Sequence, residues 1–242
     1  GISELADISV LNGKIQHISA SSSQTSQLPI WDVKGALALP LLIDAHTHLD
    51  KTLTRSRMGE ITPGLLGAIQ AMMMDRTHWT PEDVYQRANQ ALTWAYAAGV
   101  QHLRTHCDWW EPQIQPIAWE VLHDLATAWQ NKIKMERVSL MPLHLFAEAD
   151  QARNLAKQIA GSGPGALMGG FVHTSNWDLK ALKNLFAAAQ AEGLNLDLHM
   201  DEELNPQAQG LLRATEIMRE IGFEGHVAVS YTHLTLPTNR EV

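Results

Sequence analysis

From Thr80 to Ser230 the chain repeats one pattern: an amphipathic helix, then a short apolar strand. The stretch "TPEDVYQRANQALTWAYAAG" reads as a helix. Thr80 is its N-cap, Pro81 opens its first turn and Gly99 stops it. "VQHLRTHC" follows as a strand, "IQPIAWEVLHDLATAWQ" as a helix and "MERVSLMPLHLF" as a strand. "DQARNLAKQIAG" reads as a helix and "ALMGGFVHT" as a strand. Asp178 caps the helix "LKALKNLFAAAQAEG", which Gly193 ends. Strand "LNLDLHM", helix "PQAQGLLRATEIMREIG" and strand "HVAVS" complete the series. A period of about 30 residues, with strands apolar throughout, specifies a parallel sheet wound by helices and buried on both faces.

Two architectures satisfy that pattern, an open doubly wound sheet and a closed barrel. No G-x-G-x-x-G follows any strand, which argues against a dinucleotide site. Polar residues collect instead at the C-terminal ends of strands: His46 and His48, His106 and Asp108, His144, His173 and His199. A barrel gathers such ends into one ring around one pocket, whereas an open sheet spreads them along a line. The expectation is therefore an α/β chain of the (β/α)8 barrel type, incomplete, with about six βα units over residues 41–230. Residues 1–40 precede it as part of a small β-sandwich. Within them "DISVLNGKIQHIS" alternates around Asn12-Gly13 as a β-hairpin, and Ser21 to Gln27 reads as a loop. A second short run, "WDVKGALALP", leads into the barrel.

"PLLIDAHTHLDKTLTR" carries the first chemical signal. Residues i and i+2 of a strand share a face, so His46 and His48 can reach one ion while Thr47 turns away. With 12 histidines in 242 residues, chance supplies about 0.6 such pairs; the weight comes from the pair ending an apolar strand. Imidazole suits Zn, Fe and Ni. His199 ends the strand "LNLDLHM" and converges on the pair across a barrel mouth. Three residues on, Glu202 can reach a metal-held water and the substrate without ligating the ion, the position of a proton shuttle. A solvated acidic loop of Asp201, Glu202 and Glu203 is the competing reading.

Bulk properties narrow the partners. Net charge is −8 with no Lys/Arg cluster, which argues against nucleic acid. No apolar run reaches the ~18 residues of a membrane span. The single cysteine, Cys107, allows no internal disulfide, and with no visible signal peptide a cytoplasmic setting is expected. A small molecule is the expected partner, and self-association into a homo-oligomer is left open. Trp94, Trp119 and Trp129 are expected to pack within and against helices, and Trp109 and Trp110 to line a pocket wall. Met72 to Met74 read as helix packing or a lid. Arg55 and Arg57 read as solvated.

These residues carry a resemblance. "DAHTHLDKT" resembles the strand-1 metal motif of the amidohydrolase superfamily, and its run through Asp50 and Lys51 is similar to the cytosine-deaminase-like branch. "LRTHCD", "GALMGGFVHT" and "LDLHMDEE" resemble later strand ends of that branch in the same order. The resemblance covers roughly residues 5 to 230. It implies a (β/α)8 barrel flanked by a β-sandwich built from both chain ends. It implies one divalent ion (zinc or iron) held by His46, His48, His199 and a strand-8 Asp, with Glu202 as the proton-shuttling glutamate. "GFVHT" lacks the lysine that would bridge two metals. Metal-activated water would then hydrolyse a non-peptide C–N bond, most simply to deaminate an N-heterocycle such as a cytosine-like pyrimidine. Ring-opening of a cyclic amide and a non-catalytic small-molecule-binding barrel fragment are the alternatives.

The chain departs from that family in three places. Leu143 stands where the family reads a pyrimidine with Gln, so cytosine itself is not indicated, and the neighbouring His144 is the substrate-binding candidate there beside His106, Asp108 and His173. Tyr231 follows Ser230 where the family has His. The strand-8 Asp is absent, and residues 231–242 no longer resemble the family and read as a non-native tail. A chain ending there is expected to be poorly stable and weakly active.

Overall fold

The computed structural model describes residues 4–21 and 29–230. The chain divides into two compact units between Pro40 and Leu41. In the first, β1 (Ala6–Leu11) pairs antiparallel with β2 (Lys14–Ala20). Asn12 and Gly13 join them with φ of 52° and 73°. Both central residues of a type I′ turn need positive φ, and Asn-Gly tolerates it best. "WDVKGALALP" forms no strand; Lys34 and Gly35 turn there instead, Lys34 N–H donating to the Asp32 carboxylate. The loop expected at Ser21 to Gln27 and the tail after Ser230 lie outside the described residues, apart from Ser21 itself.

The second unit holds six parallel strands in sequential order: β3 (Leu42–Thr47), β4 (Val100–Asp108), β5 (Lys134–Pro142), β6 (Ala166–Val172), β7 (Leu196–Met200) and β8 (Val227–Ser230). The helices are α1 (Leu65–Arg76), α2 (Pro81–Ala97), α3 (Ile117–Trp129), α4 (Ala149–Gly161), α5 (Leu179–Ala191) and α6 (Gly210–Ile221). Local signals act where expected. The Thr80 hydroxyl accepts from Asp83 N–H, and the Asp178 carboxylate from Ala181 N–H. On α4 the buried residues Ala152, Leu155, Ala156 and Ile159 fall at i, i+3, i+4 and i+7, one helical stripe.

The sheet curls. Flat, β4 and β7 would stand three strand spacings apart, about 14 Å. Yet the Asp197 carboxylate of β7 meets Arg104 Nη1 at 2.7 Å and His106 Nε2 at 3.0 Å, both from β4. Arg104 continues to Glu136 of β5 at 2.7 Å. These charges fill the concave side. Gly169 of β6 packs against its neighbouring strands without a side chain: a Cβ there would sit 2.6 Å from Val138 Cγ1, 2.9 Å from the Ser139 carbonyl oxygen and 3.0 Å from that of Asp197. The arrangement is a parallel half-barrel.

Some boundaries differ from expectation. The strand expected to run through Phe146 stops at Pro142, which has no N–H to donate to a ladder, and Leu143–Phe146 form a 3-10 turn. Likewise β6 ends at Val172, and the His173 side chain accepts from Ser175 N–H to start the 3-10 turn Thr174–Asn176. Arg57, expected in solvent, bonds both oxygens of Asp75 (2.7 and 2.8 Å) and of Asp83 (2.6 and 3.1 Å). Trp94 is 57% exposed rather than packed, while Trp119 is buried.

Two outcomes follow. Gly169→Ala should lower stability by about 1–3 kcal/mol, read from a urea midpoint, because the stiff, β-branched Val138 and the carbonyl oxygens of Ser139 and Asp197 all crowd the added methyl. The paired guanidiniums of Arg57 and, after the cost of burial, Arg87 hold the Asp83 carboxyl down at about 2. A depressed carboxyl contributes stability above its ordinary pKa near 3.8 and loses it as pH falls towards 2. Solvent screening limits this to about 1 kcal/mol. Asp83→Asn should therefore lose less stability than the parent between pH 5 and pH 2.

Candidate functional site

Three of the sequence-selected histidines meet on the concave side at the C-terminal ends of the strands. His48 Nε2 lies 3.2 Å from His46 Nε2 and 3.2 Å from His199 Nε2. His48 follows β3 and His199 belongs to β7, so the curl creates this meeting. Ligands 2.0–2.1 Å from a tetrahedral zinc stand about 3.3 Å apart. The nitrogens are thus spaced as edges of such a polyhedron. Burial, the largest cause, and the crowding of neighbouring rings and Lys51 keep these imidazoles neutral. The pKa of His46 falls to about 4, that of His199 to about 2, and that of His48 well below its ordinary value. Neutral imidazoles offer lone pairs to a cation. His48 Nδ1 is buried with no hydrogen-bond partner among the described residues.

His106 joins the group, its ring centroid 4.1 Å from that of His46 and 4.7 Å from that of His199. Candidate ligand atoms of His46, His106 and His199 lie within 4.8 Å of one another. His106 differs in chemistry, however. Its Nε2 faces the Asp197 carboxylate at 3.0 Å and its Nδ1 faces the Thr47 carbonyl at 3.4 Å. Its nitrogens thus face a carboxylate and a carbonyl, while His48 Nε2 stands at the junction of His46 and His199.

The acidic turn after β7 divides its labour. Asp201 sits at φ 57° and accepts from the N–H groups of Gly210 and Leu211 at 2.9 and 3.0 Å, capping α6 from outside. Glu203 accepts from Thr174 N–H at 2.7 Å and from its hydroxyl. Glu202 lies between these anchors, 11% exposed, with Oε1 4.0 Å from His199 Nε2 and no hydrogen-bond partner for that oxygen among the described residues. Burial raises its carboxyl to about 7, against an opposing pull from Lys51. Two of the three acids are structural, and the third faces the site.

The site opens on a cavity of about 490 Å³. Leu65, Ile69 and Met72 of α1 form one wall, and Trp110, Pro142 and Phe171 contribute apolar surface elsewhere. Trp110 therefore lines the pocket as expected. Trp109 does not: it is fully buried, its ring 5.6 Å from that of Trp119. Asp108 also lines the pocket. His144 is exposed on its 3-10 turn, and His173 faces a second cavity beside Trp177 and Arg213.

The sequence reading placed Lys51 in the strand-1 motif without giving it a role, and passed over Asp197. The signal for Asp197 was present, an acid inside an otherwise apolar strand two residues before His199 and so on its face. Lys51 donates to both Asp108 oxygens at 2.8 and 2.9 Å. Burial opposes the Lys51 ammonium, but the carboxylates of Asp108 and Asp50 outweigh it and raise its pKa. Asp50, fully buried, accepts from Lys51 N–H and Asp108 N–H. Its carboxyl is pushed up to about 6, first by burial and then by Asp108.

No family model matches the chain. A curated relative does: a pterin deaminase of Rhizobium rhizogenes is 33% identical over 228 residues, covering 93% of this chain and 51% of the relative. The chain thus spans about half the length of the curated relative it matches. Among solved structures, 5-methylcytosine deaminase from Klebsiella pneumoniae with 5-fluorocytosine superposes with a TM-score of 0.72 at 26% identity, over 93% of this chain and 55% of that one. Guanine deaminase from C. acetobutylicum shares the fold, with a TM-score of 0.60 at 11% identity, covering 93% and 56%. No helix among the described residues is long and apolar enough to cross a membrane. The half-barrel, the strand-end histidines and the matches agree: over the stretch compared, this chain is similar to deaminases.

Proposed function

We propose that this chain forms the catalytic half-barrel of a hydrolase that deaminates an N-heterocycle, with His46, His48 and His199 holding one divalent ion, zinc or iron. The observation that carries it is the pair of 3.2 Å separations linking His48 Nε2 to the Nε2 atoms of His46 and His199, beside the Glu202 carboxyl. The donor set fits: nitrogen ligands suit these metals, and the orphaned His48 Nδ1 marks a ring whose position serves its other nitrogen. A divalent ion there supplies water whose pKa drops from about 15.7 to about 7.

The chain's own groups do the rest. Glu202, with its carboxyl near neutrality, can both accept and release a proton at pH 7. Its place beside His199 would let it carry one proton of the water to a ring nitrogen and the other to the amino group, which leaves as ammonia. Asp201 and Glu203 hold the turn, so the carboxyl keeps its aim. His106, tied to Asp197, packs its ring against those of His46 and His199 and so limits their movement. The apolar walls suit a flat aromatic ring and keep bulk water out.

The relative's name makes a pterin the first substrate to try. Of the substrate-side candidates read from the sequence, Asp108 lines the pocket wall, whereas His144 is exposed on its turn. Ring-opening of a cyclic amide is less well supported, since β6 ends in "GFVHT" without a bridging lysine. The buried free thiol of Cys107 fits a reducing, cytoplasmic setting.

The decisive experiment is ammonia release from pterin and from pyrimidines, alongside elemental analysis of the protein. Glu202→Gln should lower turnover by roughly 10²- to 10⁴-fold while metal content holds. His48→Ala should instead lose the metal itself. A Glu202→Gln protein with full turnover, or a His48→Ala protein with full metal content, contradicts the assignment.

A further inference from the structure

Beyond the histidines and Glu202, the pocket wall holds one ion pair that the chemistry above does not use. Lys51 and Asp108 both line the cavity together with His48 and His199. Lys51 is the cationic side chain of that lining among the described residues, in a wall otherwise rich in Leu, Ile, Met, Trp and Phe. Its side chain is 26% exposed, that of Asp108 only 4%. The carboxylate is therefore sunk in the wall, and the lysine side chain, in part exposed, lies over it at the cavity.

The pair is held from behind. The buried Asp50 carboxylate accepts from the backbone N–H of both Lys51 and Asp108, at 2.8 and 2.9 Å. Leu49 N–H donates to the Thr105 hydroxyl at 2.9 Å, and Arg87 donates to the carbonyls of Asp50 and Thr52 at 2.9 and 2.8 Å. The segment after β3 is thus pinned to β4 and α2. An ammonium has three donors. The side-chain hydrogen bonds described for Lys51 both go to Asp108, which leaves donor capacity towards the cavity. In an apolar pocket a few placed polar groups decide orientation and selectivity.

We infer that Lys51, clamped by Asp108, is the residue that recognises substrate, donating a hydrogen bond to an exocyclic carbonyl oxygen so that the pocket selects oxo-bearing heterocycles over rings that lack the oxygen. Asp108 acts through Lys51 as a positioning residue. The inference rests on the pocket being the ring-binding site proposed above, and it adds the substrate class: a heterocycle carrying a carbonyl group beside its amino group. A fixed cation facing that oxygen rejects the ring without it, because the ammonium is then desolvated with no new partner.

The test is equilibrium binding to zinc-loaded protein, read by calorimetry, with pterin and with 2-aminopteridine, which lacks the 4-oxygen. The parent should prefer pterin by roughly ten- to a hundredfold, the range of a hydrogen bond to a charged group. Lys51→Met should erase that preference and Lys51→Arg should keep most of it, with zinc content and thermal midpoint reported for each. Asp108→Asn should weaken the preference. A parent that binds neither ring or does not discriminate, a Lys51→Met protein that still discriminates, or one that loses affinity for both rings equally, each overturns the inference. Failure of the deaminase reading looks different: pterin binds with the expected preference and no ammonia is released.

Discussion

The Asp197 carboxylate is the contact on which the site depends. It reaches across the concave face from β7 to Arg104 and His106 of β4, strands that a flat sheet would hold far apart. Its acidity reflects this: although burial opposes it, His106 and Arg104 bring its carboxyl down to about 2. A buried acid with two cationic or donor partners is costly to break, on the order of 3–5 kcal/mol when one partner is lost. The same curl brings His199 to His48. The charge cluster inside the half-barrel and the imidazole cluster at its mouth are consequences of one geometry.

Around that geometry the structure separates holding from reacting. Asp201 caps α6, Glu203 ties Thr174, Asp50 anchors the segment after β3, and His106 backs the other rings. Each of these polar groups has its bonds satisfied by protein. The groups left facing the cavity are few and chemically distinct: neutral imidazoles, one carboxyl near neutrality and one clamped ammonium. In a low-dielectric wall such groups keep their orientation without help from water, which is the condition for selective binding and proton transfer.

What was legible in advance differs by residue. His46 and His48 announced themselves because strand periodicity puts i and i+2 on one face, which needs no tertiary knowledge. Glu202 was readable as a candidate, but not its difference from Asp201 and Glu203. That difference lies in Gly210, Leu211 and Thr174, which are remote in sequence. Trp109 and Trp110 could not be told apart either. Adjacent residues point to opposite sides, and only packing against Trp119 decides which side is core. Lys51 was visible as part of the strand-1 motif, but its role was not, because its partner lies 57 residues later.

The sequence alone determined the parallel α/β succession, the Asn-Gly hairpin, the helix caps at Thr80 and Asp178, and the histidine-bearing strand ends. All of these are set by local propensity and by periods of two and 3.6 residues. The meeting of His199 with the His46–His48 pair followed from the barrel that the βα succession implies. Only the tertiary structure decided that His106 is held by Asp197 and that Lys51 stands on Asp108 in the pocket wall. Those pairings span 91 and 57 residues, and at such separations the contact is set by how the sheet curls, which no local pattern encodes.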